Sequence, residues 1–252
     1  MSRKMKLEAR RKAILDALQV SGKVKVTELS KELDTTPITI RSDLNALEQE
    51  GVLVRVQGGA VAAPAIASNA RSIQSANLKE KKALAERVAG IIKDGDTLFI
   101  NSGTTMEQVA AALDVHSNIS IVTNSLSVAT ILGEISSFRV ILLGGEINSQ
   151  FGFTHGGDTL AQLNKYTANW AILSVDGINA SCGITTCHAE EALIDRTMIG
   201  NARKTLIVAD HTKIGKAGFA RVCDNMDNVY VVTDGKDTAE LAENKVTVIT
   251  VE

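Results

Sequence analysis

Hydrophobic residues recur at helical spacing in three short segments of the first 50 residues. The first segment covers residues 8–20, the second starts at Thr27 as an N-cap, and the third runs from Pro37 to about residue 50. Their apolar positions are Ile14, Leu15 and Leu18, then Leu29 and Leu33, then Ile40, Leu44 and Leu47. Three short helices with a tight turn before the third predict a helix-turn-helix.

Apolar and polar residues then alternate on both sides of Gly58 and Gly59, which predicts a β-hairpin over residues 52–61. Residues 1–61 are therefore predicted to form a winged helix-turn-helix domain. Its third helix lies in the major groove of DNA, so the exposed residues of that helix are expected to contact bases or phosphates. These residues are Thr36, Pro37, Ile38, Thr39, Arg41, Ser42 and Asn45. Arg55, Gln57 and Lys25, on the wing and beside it, are expected to contact phosphates.

The charge distribution favours the same division of the chain. Residues 1–60 carry 11 Lys or Arg against 8 Asp or Glu, whereas the remainder carries 16 against 21. A basic first part joined to an acidic body indicates that only the first part meets a polyanion. The alternative is a winged helix that binds protein and leaves Arg41 solvated.

The third helix and the hairpin carry a specific motif. Residues 35–48 read TTPITIRSDLNALE, and Gly51 and the run RVQGGA at residues 55–60 follow. The Arg-x-Asp-Leu core and the Gly-Gly-Ala tip resemble the DNA-binding signature of the DeoR family of bacterial transcriptional regulators. DNA phosphates would repel an outward carboxylate, so Asp43 is expected to cap or pair within the domain.

A break in composition separates this domain from the rest of the chain. Residues 62–77 are small, polar or Pro-containing and lack a period, which predicts a linker. Residues 79–92 form an amphipathic helical pattern whose charged run, residues 79–82, is expected to be solvated. Seven strand-like apolar runs follow, at residues 98–100, 119–122, 140–143, 171–175, 206–209, 229–232 and 246–249. Their alternation with helices predicts a mostly parallel α/β domain over residues 78–252.

Glycines and small polar residues follow the first five of these runs. Ligands bind at the carboxyl ends of parallel strands, where the loops converge. Hydroxyls and helix N-terminal amides suit a phosphate, Lys213 adds a positive charge, and Asp176 and Asn124 suit sugar hydroxyls. The predicted binding residues are Asn101, Ser102, Gly103, Thr104, Thr105, Thr123, Asn124, Ser125, Gly144, Gly145, Asp176, Gly177 and Lys213. The alternatives are a plain helix cap at residues 101–105, a structural Asp176 and a solvated Lys213.

The same loops, together with residues 183–186 and the pair Glu190 and Glu191, resemble the C-terminal sensor domain of the DeoR family. That domain is similar in fold to ribose-5-phosphate isomerase and glucosamine-6-phosphate deaminase. The resemblance adds Thr185 and Glu190 to the effector site. It implies a repressor of a carbohydrate-utilisation operon that binds operator DNA as a homodimer or homotetramer and is released by a phosphorylated sugar.

A sugar-phosphate isomerase or deaminase-like enzyme is the alternative function. Glu190 or Glu191 would then be the base, and Lys213 with Asp176 would orient the substrate. The isomerase pattern has a second Asp where this chain has Asn179, and a Lys where residues 183–187 are neutral. We therefore expect binding without catalysis.

The remaining composition excludes other classes of protein. The three cysteines, Cys182, Cys187 and Cys223, are too few for a disulfide framework or a tetrahedral zinc site, so no metal or cofactor is expected. No apolar run approaches the roughly 18–20 residues that a membrane span needs. No signal-peptide pattern follows the basic N-terminus, so the expected location is the cytoplasm.

Overall fold

The computed structural model describes residues 7–49, 53–62, 77–223, 228–235 and 246–251. Backbone contacts divide the chain into two compact units, Met1–Gln74 and Ser75–Glu252. Most of the predicted linker, and Gly51 of the motif, lie outside the described residues, so the linker bounds stay a prediction. Within the described ranges, no helix combines the length and apolar character needed to cross a bilayer.

The N-terminal unit contains three helices and a small antiparallel sheet. The helices are α1 (Leu7–Ser21), α2 (Val26–Glu32) and α3 (Pro37–Gln49), and the strands are β1 (Lys23–Lys25), β2 (Leu53–Val56) and β3 (Gly59–Ala62). The strand order is β1-β3-β2. Ile14, Leu29, Ile40, Leu44 and Leu47 are buried in its core. The predicted winged helix-turn-helix is confirmed.

The starts of α2 and α3 are stabilised differently. Helix α2 has Lys25 at its N-cap, not Thr27 as predicted, and within the described residues the Lys25 side chain makes no capping bond. At the start of α3, the Thr36 hydroxyl accepts a hydrogen bond from the main-chain N–H of Thr39 at 3.2 Å. That bond satisfies one of the donors left free by the first helical turn, so Thr36 caps the third helix.

The wing turn lies one residue earlier than the Gly58-Gly59 pair suggests. Val56 pairs with Gly59, so Gln57 and Gly58 form the two-residue turn, with Gly58 at φ +81°. Gly59 lies in β3, where an added Cβ would sit 2.0 Å from the carbonyl oxygen of Val24 in β1. This close approach explains the second glycine. Strand β1 was not predicted, because a strand of three residues is too short to show an alternation of apolar and polar positions.

The C-terminal unit is built on a seven-stranded parallel sheet. Its strands in chain order are β4 (Thr97–Ile100), β5 (Ser120–Thr123), β6 (Arg139–Leu142), β9 (Ala168–Ser174), β12 (Ala202–Val208), β14 (Val229–Thr233) and β15 (Thr247–Thr250). Every described pairing between them is parallel. All seven overlap predicted runs, so the mostly parallel α/β prediction is confirmed. Short antiparallel strands, which the sequence analysis missed, are β7 (Glu146–Asn148), β8 (Phe153–His155), β10 (Gly177–Asn179), β11 (Gly183–Thr186) and β13 (Ala220–Cys223).

Helices cover both faces of the large sheet. They are α4 (Leu78–Ala89), α5 (Thr104–Ala112), α6 (Leu126–Gly133), α7 (Gly157–Leu163) and α8 (Ala189–Gly200). Successive side chains of a strand point to opposite faces, so Leu98 packs in the core under α4, α5 and α6, while Phe99 packs in the core that includes α7 and α8. Burial on both faces is the reason that these strands read as continuous apolar runs.

The strand order, β15-β14-β12-β9-β4-β5-β6, reverses direction between β4 and β9. The chain runs outward from β4 to β5 and β6, and then returns to the other side of β4 as β9. Loops that leave neighbouring strands in opposite directions open a crevice beyond their carboxyl ends, which is where open α/β sheets bind ligands. Residues 101–103 and 175–176 border this crevice.

Candidate functional site

One face of helix α3 is exposed to solvent and carries three polar residues and one apolar residue. Ile38, Arg41, Ser42 and Asn45 are all exposed. Their spacing of three, four and seven residues places them on one face of the helix, which we call the recognition stripe. Thr36 and Pro37 are exposed at its start, and Thr39 is half-buried. The predicted helix residues are thus gathered at one surface, and their contacts with DNA stay a prediction.

Asp43 faces the opposite way and attaches α3 to α1. The Arg10 guanidinium donates from Nε to Asp43 Oδ2 at 2.5 Å and from Nη2 to Oδ1 at 3.1 Å. Asp43 is 3% exposed, and its hydrogen bonds raise the pKa of Arg10. The structure agrees with the expectation that Asp43 pairs within the domain.

The wing is tied to the far end of the recognition stripe. Arg55 Nη1 donates to Asn45 Oδ1, and the main-chain N–H of Arg55 donates to Glu48 Oε1 at 2.7 Å. Gln57 is exposed at the turn, whereas Lys25 pairs with Glu28 at 2.9 Å on the surface. Arg55 and Lys25, which sequence analysis treats as phosphate contacts, therefore also have partners inside the unit.

In the C-terminal unit, Asn101 joins the carboxyl ends of β4 and β9. Its Nδ2 donates to the carbonyl of Ser174 at 3.0 Å, and its Oδ1 accepts from the Ser174 N–H at 2.9 Å. The Ser174 hydroxyl in turn donates to the carbonyl of Ser102 at 2.7 Å. Asn101 is fully buried. Asn101 therefore holds the ends of β4 and β9 together at the crevice.

Gly103 brings the backbone close to the crevice at the start of α5. Its φ is +117°, and an added Cβ would lie 2.7 Å from Ser174 Oγ. Both the conformation and the space favour glycine. The first amide groups of a helix have no partner in a preceding turn, and the helix dipole favours an anion there. The main-chain amides at the start of α5 therefore suit an anion, and an anion site at residues 103–106 stays a prediction.

Two lysines supply positive charge on this side of the crevice. Lys81 of α4 is only 9% exposed, and its Nζ donates to Thr104 Oγ1 at 2.9 Å. Burial lowers the pKa of Lys81, the charge of Lys213 lowers it further, and Asp210 and Glu107 act in the opposite direction. The ammonium group of Lys213 therefore lies close enough to Lys81 to act on it electrostatically.

The sequence prediction that residues 79–82 are all solvated is wrong at Lys81. Lys81 precedes Leu84 by three residues and Val88 by seven, and both of these are buried. The helical phase therefore places Lys81 on the inward face. The charged residues on either side of Lys81 concealed this helical periodicity.

Asp176 and Lys213 meet at the crevice. Lys213 Nζ donates to Asp176 Oδ1 at 3.2 Å, while Asp176 Oδ2 accepts from the Thr186 hydroxyl at 3.0 Å and from the Cys187 N–H at 2.8 Å. Burial acts to raise the pKa of Asp176, but the hydrogen bonds and the charge of Lys213 outweigh it and the pKa is lowered. Asp176 is therefore an ionised acceptor at neutral pH.

Glu191, not Glu190, points into the crevice. One carboxylate oxygen accepts from Ser102 Oγ at 3.0 Å, and the other lies 2.6 Å from Thr186 Oγ1, so Glu191 and Asp176 share the single proton of the Thr186 hydroxyl. Burial raises the pKa of Glu191. Glu190 is exposed, and no hydrogen bond is recorded for it among the described residues. We define the strand-end cluster as Lys81, Ser102, Thr104, Asp176, Thr186, Glu191 and Lys213.

Asp195 lies one helical turn beyond Glu191 and is fully buried. Its Oδ1 accepts from Asn101 Nδ2 at 3.0 Å, and its Oδ2 has no hydrogen-bond partner among the described residues. Burial, reinforced by the charge of Glu191, raises its pKa well above 3.8. Asp195 is not among the residues predicted from the sequence.

This burial predicts a pH dependence of stability. Between the ordinary aspartate pKa and the raised folded value, the native state binds more protons than the unfolded chain, so stability falls as pH rises. Asp195→Asn should remove that component, leaving a variant whose thermal unfolding midpoint falls less from pH 4.5 to pH 8 than that of the wild type. Glu190→Gln, an exposed neighbour on the same helix, is the control and should follow the wild type. Parallel curves for Asp195→Asn and the wild type would contradict the prediction.

Several other predicted residues have structural partners. Thr123, Asn124 and Ser125 are at most 1% exposed. The side chain of Asn124 donates to the carbonyl of Thr154. Ser125 Oγ caps α6 by accepting from the N–H of Val128. Within the described residues, none of the three has a recorded hydrogen bond to the strand-end cluster. Their position after β5, outside the switch between β4 and β9, accounts for this.

The glycines and threonines of the neighbouring loops also support the fold. The Gly144 carbonyl accepts from Thr159 at 2.8 Å, and a Cβ on Gly145 would lie 2.0 Å from the same hydroxyl. Thr185 Oγ1 donates to the Gly177 carbonyl at 3.2 Å. Thr105 is buried in the first turn of α5. A direct role of these residues in ligand binding stays a prediction.

An aromatic contact that the sequence did not signal borders the cluster. Phe151, between β7 and β8, packs on the His188 ring at a centroid distance of 4.5 Å. His188 is the N-cap residue of α8, and its charge acts to lower the pKa of Glu191. The hairpin therefore reaches the same end of α8 as the cluster.

Comparison with known proteins identifies both units. The DeoR-like helix-turn-helix domain matches residues 10–64, and the DeoR C terminal sensor domain matches residues 76–235. The chain is 37% identical to the glycerol-3-phosphate regulon repressor of Escherichia coli strain K12, over 90% of this chain and 89% of that protein. It is 32% identical to the lactose phosphotransferase system repressor of Lactococcus lactis, over 94% and 92%.

Among solved structures, ribose 5-phosphate isomerase A from Methanocaldococcus jannaschii matches with a TM-score of 0.41 and 12% identity, over 55% of each chain. This likeness is too distant to bear on function, whereas the sequence relatives span nearly the whole chain and are named as repressors. The chain belongs to the DeoR family and is a DNA-binding transcriptional regulator, not an enzyme.

Proposed function

We propose that this regulator is a cytoplasmic repressor of a carbohydrate-utilisation operon, and that a phosphorylated sugar bound at the strand-end cluster weakens its hold on operator DNA. The observation that carries the proposal is the placement of two lysines at the crevice: Lys81 donates to Thr104 at the start of α5, and Lys213, which pairs with Asp176, lies close enough to Lys81 to lower its pKa. Ammonium groups and helix amides recognise phosphate.

Other groups of the cluster suit the hydroxyl groups of a sugar. Asp176 and Glu191 offer carboxylate oxygens, and Ser102 and Thr186 offer hydroxyls that both donate and accept. An effector with one anionic end and several hydroxyls complements both sets of groups. The names of the relatives, a glycerol-3-phosphate regulon repressor and a lactose phosphotransferase system repressor, support the same class.

The release of DNA follows from linked equilibria. A homodimer or homotetramer would place two α3 helices in successive major grooves, and an effector that binds the non-binding arrangement more tightly shifts the population toward it. A coupling of about 1–3 kcal/mol, or roughly 5- to 150-fold in affinity, is sufficient for such a response.

The position of Asn179 supports binding over turnover. Its Oδ1 accepts from the N–H of Ser181 at 2.9 Å and of Cys182 at 3.3 Å, while its Nδ2 donates to the Gly215 carbonyl at 3.1 Å. An amide held in a turn by these bonds is not placed to transfer protons. The second carboxylate of the isomerase pattern is thus replaced by a structural residue.

A binding assay on the full-length protein tests the proposal. Fluorescence anisotropy with DNA from upstream of its own gene is expected to show binding, and one phosphorylated sugar from a panel should weaken it about 5- to 150-fold at saturation. The unphosphorylated sugars and inorganic phosphate are the controls. Absence of DNA binding at low salt would contradict the operator assignment, and binding that no sugar phosphate changes would contradict the effector assignment.

A further inference from the structure

Ile38 is an exposed isoleucine on the recognition stripe. It is the second residue of α3 and 75% exposed, while the packing face of the same helix consists of Ile40, Leu44 and Leu47, which are at most 2% exposed. A single exposed apolar residue is ordinary on a protein surface. Its position is the informative feature, because residues near the N-terminus of a recognition helix meet the base edges.

The neighbours of Ile38 define the surface that it would enter. Arg41 and Ser42 follow at three and four residues on the same face, and Asn45 follows at seven, held by Arg55 of the wing. These side chains can hydrogen-bond to phosphates or base edges, whereas Ile38 cannot. In the groove, an apolar side chain in this row would be stabilised by contact with an apolar group.

The major groove offers one such partner, the C5-methyl group of thymine. We infer that Ile38 packs against a thymine methyl group in each operator half-site and thereby selects thymine at that position. This inference rests on the placement of α3 in the major groove. Three residues along a helix span about 4.5 Å, and neighbouring bases on a strand are about 3.4 Å apart. With the helix axis aligned along the groove, the selected thymine would lie one or two base pairs from the contact of Arg41.

The experiment removes the methyl group from the DNA without changing a hydrogen bond. Full-length protein selects its preferred duplex from a random pool, and each thymine of that duplex is then replaced singly by deoxyuridine. For the wild type, one thymine in each half-site should be sensitive, with binding about fourfold weaker, the cost expected for one lost methyl contact. For Ile38→Ala, replacement of the same thymine should have no effect.

Val115→Ala is the matched control. Val115 is also β-branched and 74% exposed, but lies in the C-terminal unit. Its deoxyuridine profile should equal that of the wild type. Ile38→Val, which keeps the branched shape, should retain part of the sensitivity to deoxyuridine. This variant keeps the inference testable if Ile38→Ala fails to fold.

Two results would overturn the inference. The first is a wild-type profile in which no deoxyuridine weakens binding. The second is a profile of Ile38→Ala that keeps the sensitivity of the wild type, since the methyl group would then contact another residue. Failure to select any DNA would instead contradict the operator-binding function itself, so the two failures are distinguishable.

Discussion

Lys81→Met is expected to raise the concentration of sugar phosphate needed to release operator DNA by about 10- to 150-fold. The loss corresponds to one hydrogen bond between charged groups, worth about 1.5–3 kcal/mol. Lys81 is buried and lies on Thr104, the first residue of α5, so its ammonium group is fixed where the phosphate would bind. Methionine fills the same space without the charge.

The neighbouring residue provides the control for this prediction. Lys82 is exposed on the same helix, and Lys82→Met should release operator DNA at the wild-type effector concentration. Both variants should bind operator equally well without effector, because neither belongs to the N-terminal unit. The measurement is an effector titration of protein–DNA anisotropy. A wild-type titration for Lys81→Met would remove this lysine from the phosphate site.

Asp43→Ala is expected to destabilise the winged helix-turn-helix by about 3 kcal/mol. Removing one partner of a buried ion pair strands the other charge and typically costs 3–5 kcal/mol. The lower end applies because the Arg10 side chain keeps 13% exposure. Since Asp43 joins α3 to α1 across 33 residues of sequence, operator binding should weaken as well.

Hydrogen exchange of peptides from α1 and α3 in the full-length protein measures this loss directly. Protection should fall in both helices of Asp43→Ala and remain unchanged in the parallel sheet. Asp16→Ala removes an exposed carboxylate from α1 and should stay within about 0.5 kcal/mol of the wild type. Equal protection in Asp43→Ala and Asp16→Ala would show that the pair with Arg10 contributes little.

Local patterns were sufficient to predict the secondary-structure framework. The seven parallel strands were predicted because strands buried on both faces carry unbroken apolar runs, and α3 was predicted because Thr36 and Pro37 mark its start. The outward Arg41 and the inward Asp43 also follow from a motif that is local in sequence. Short strands such as β1 and β13 lack such a signal.

The candidate site was predicted in part. The loop after β4 and the residues Asp176 and Lys213 were expected from their positions behind strands, and they do meet near the switch between β4 and β9. Asn124 and Gly144 follow equivalent strands, yet they serve the hairpin and α7. A position behind a strand therefore does not distinguish a crevice residue from a structural one.

The sequence by itself determined the main helices and the seven parallel strands, which type of domain each half of the chain forms, and which family it belongs to. These properties depend on residues a few positions apart. Only the tertiary structure decided that Lys81 reaches Thr104 across 23 residues, and that Asp195 reaches Asn101 across 94. Such contacts arise from the packing of distant segments around one sheet, and no periodicity within a single segment encodes them.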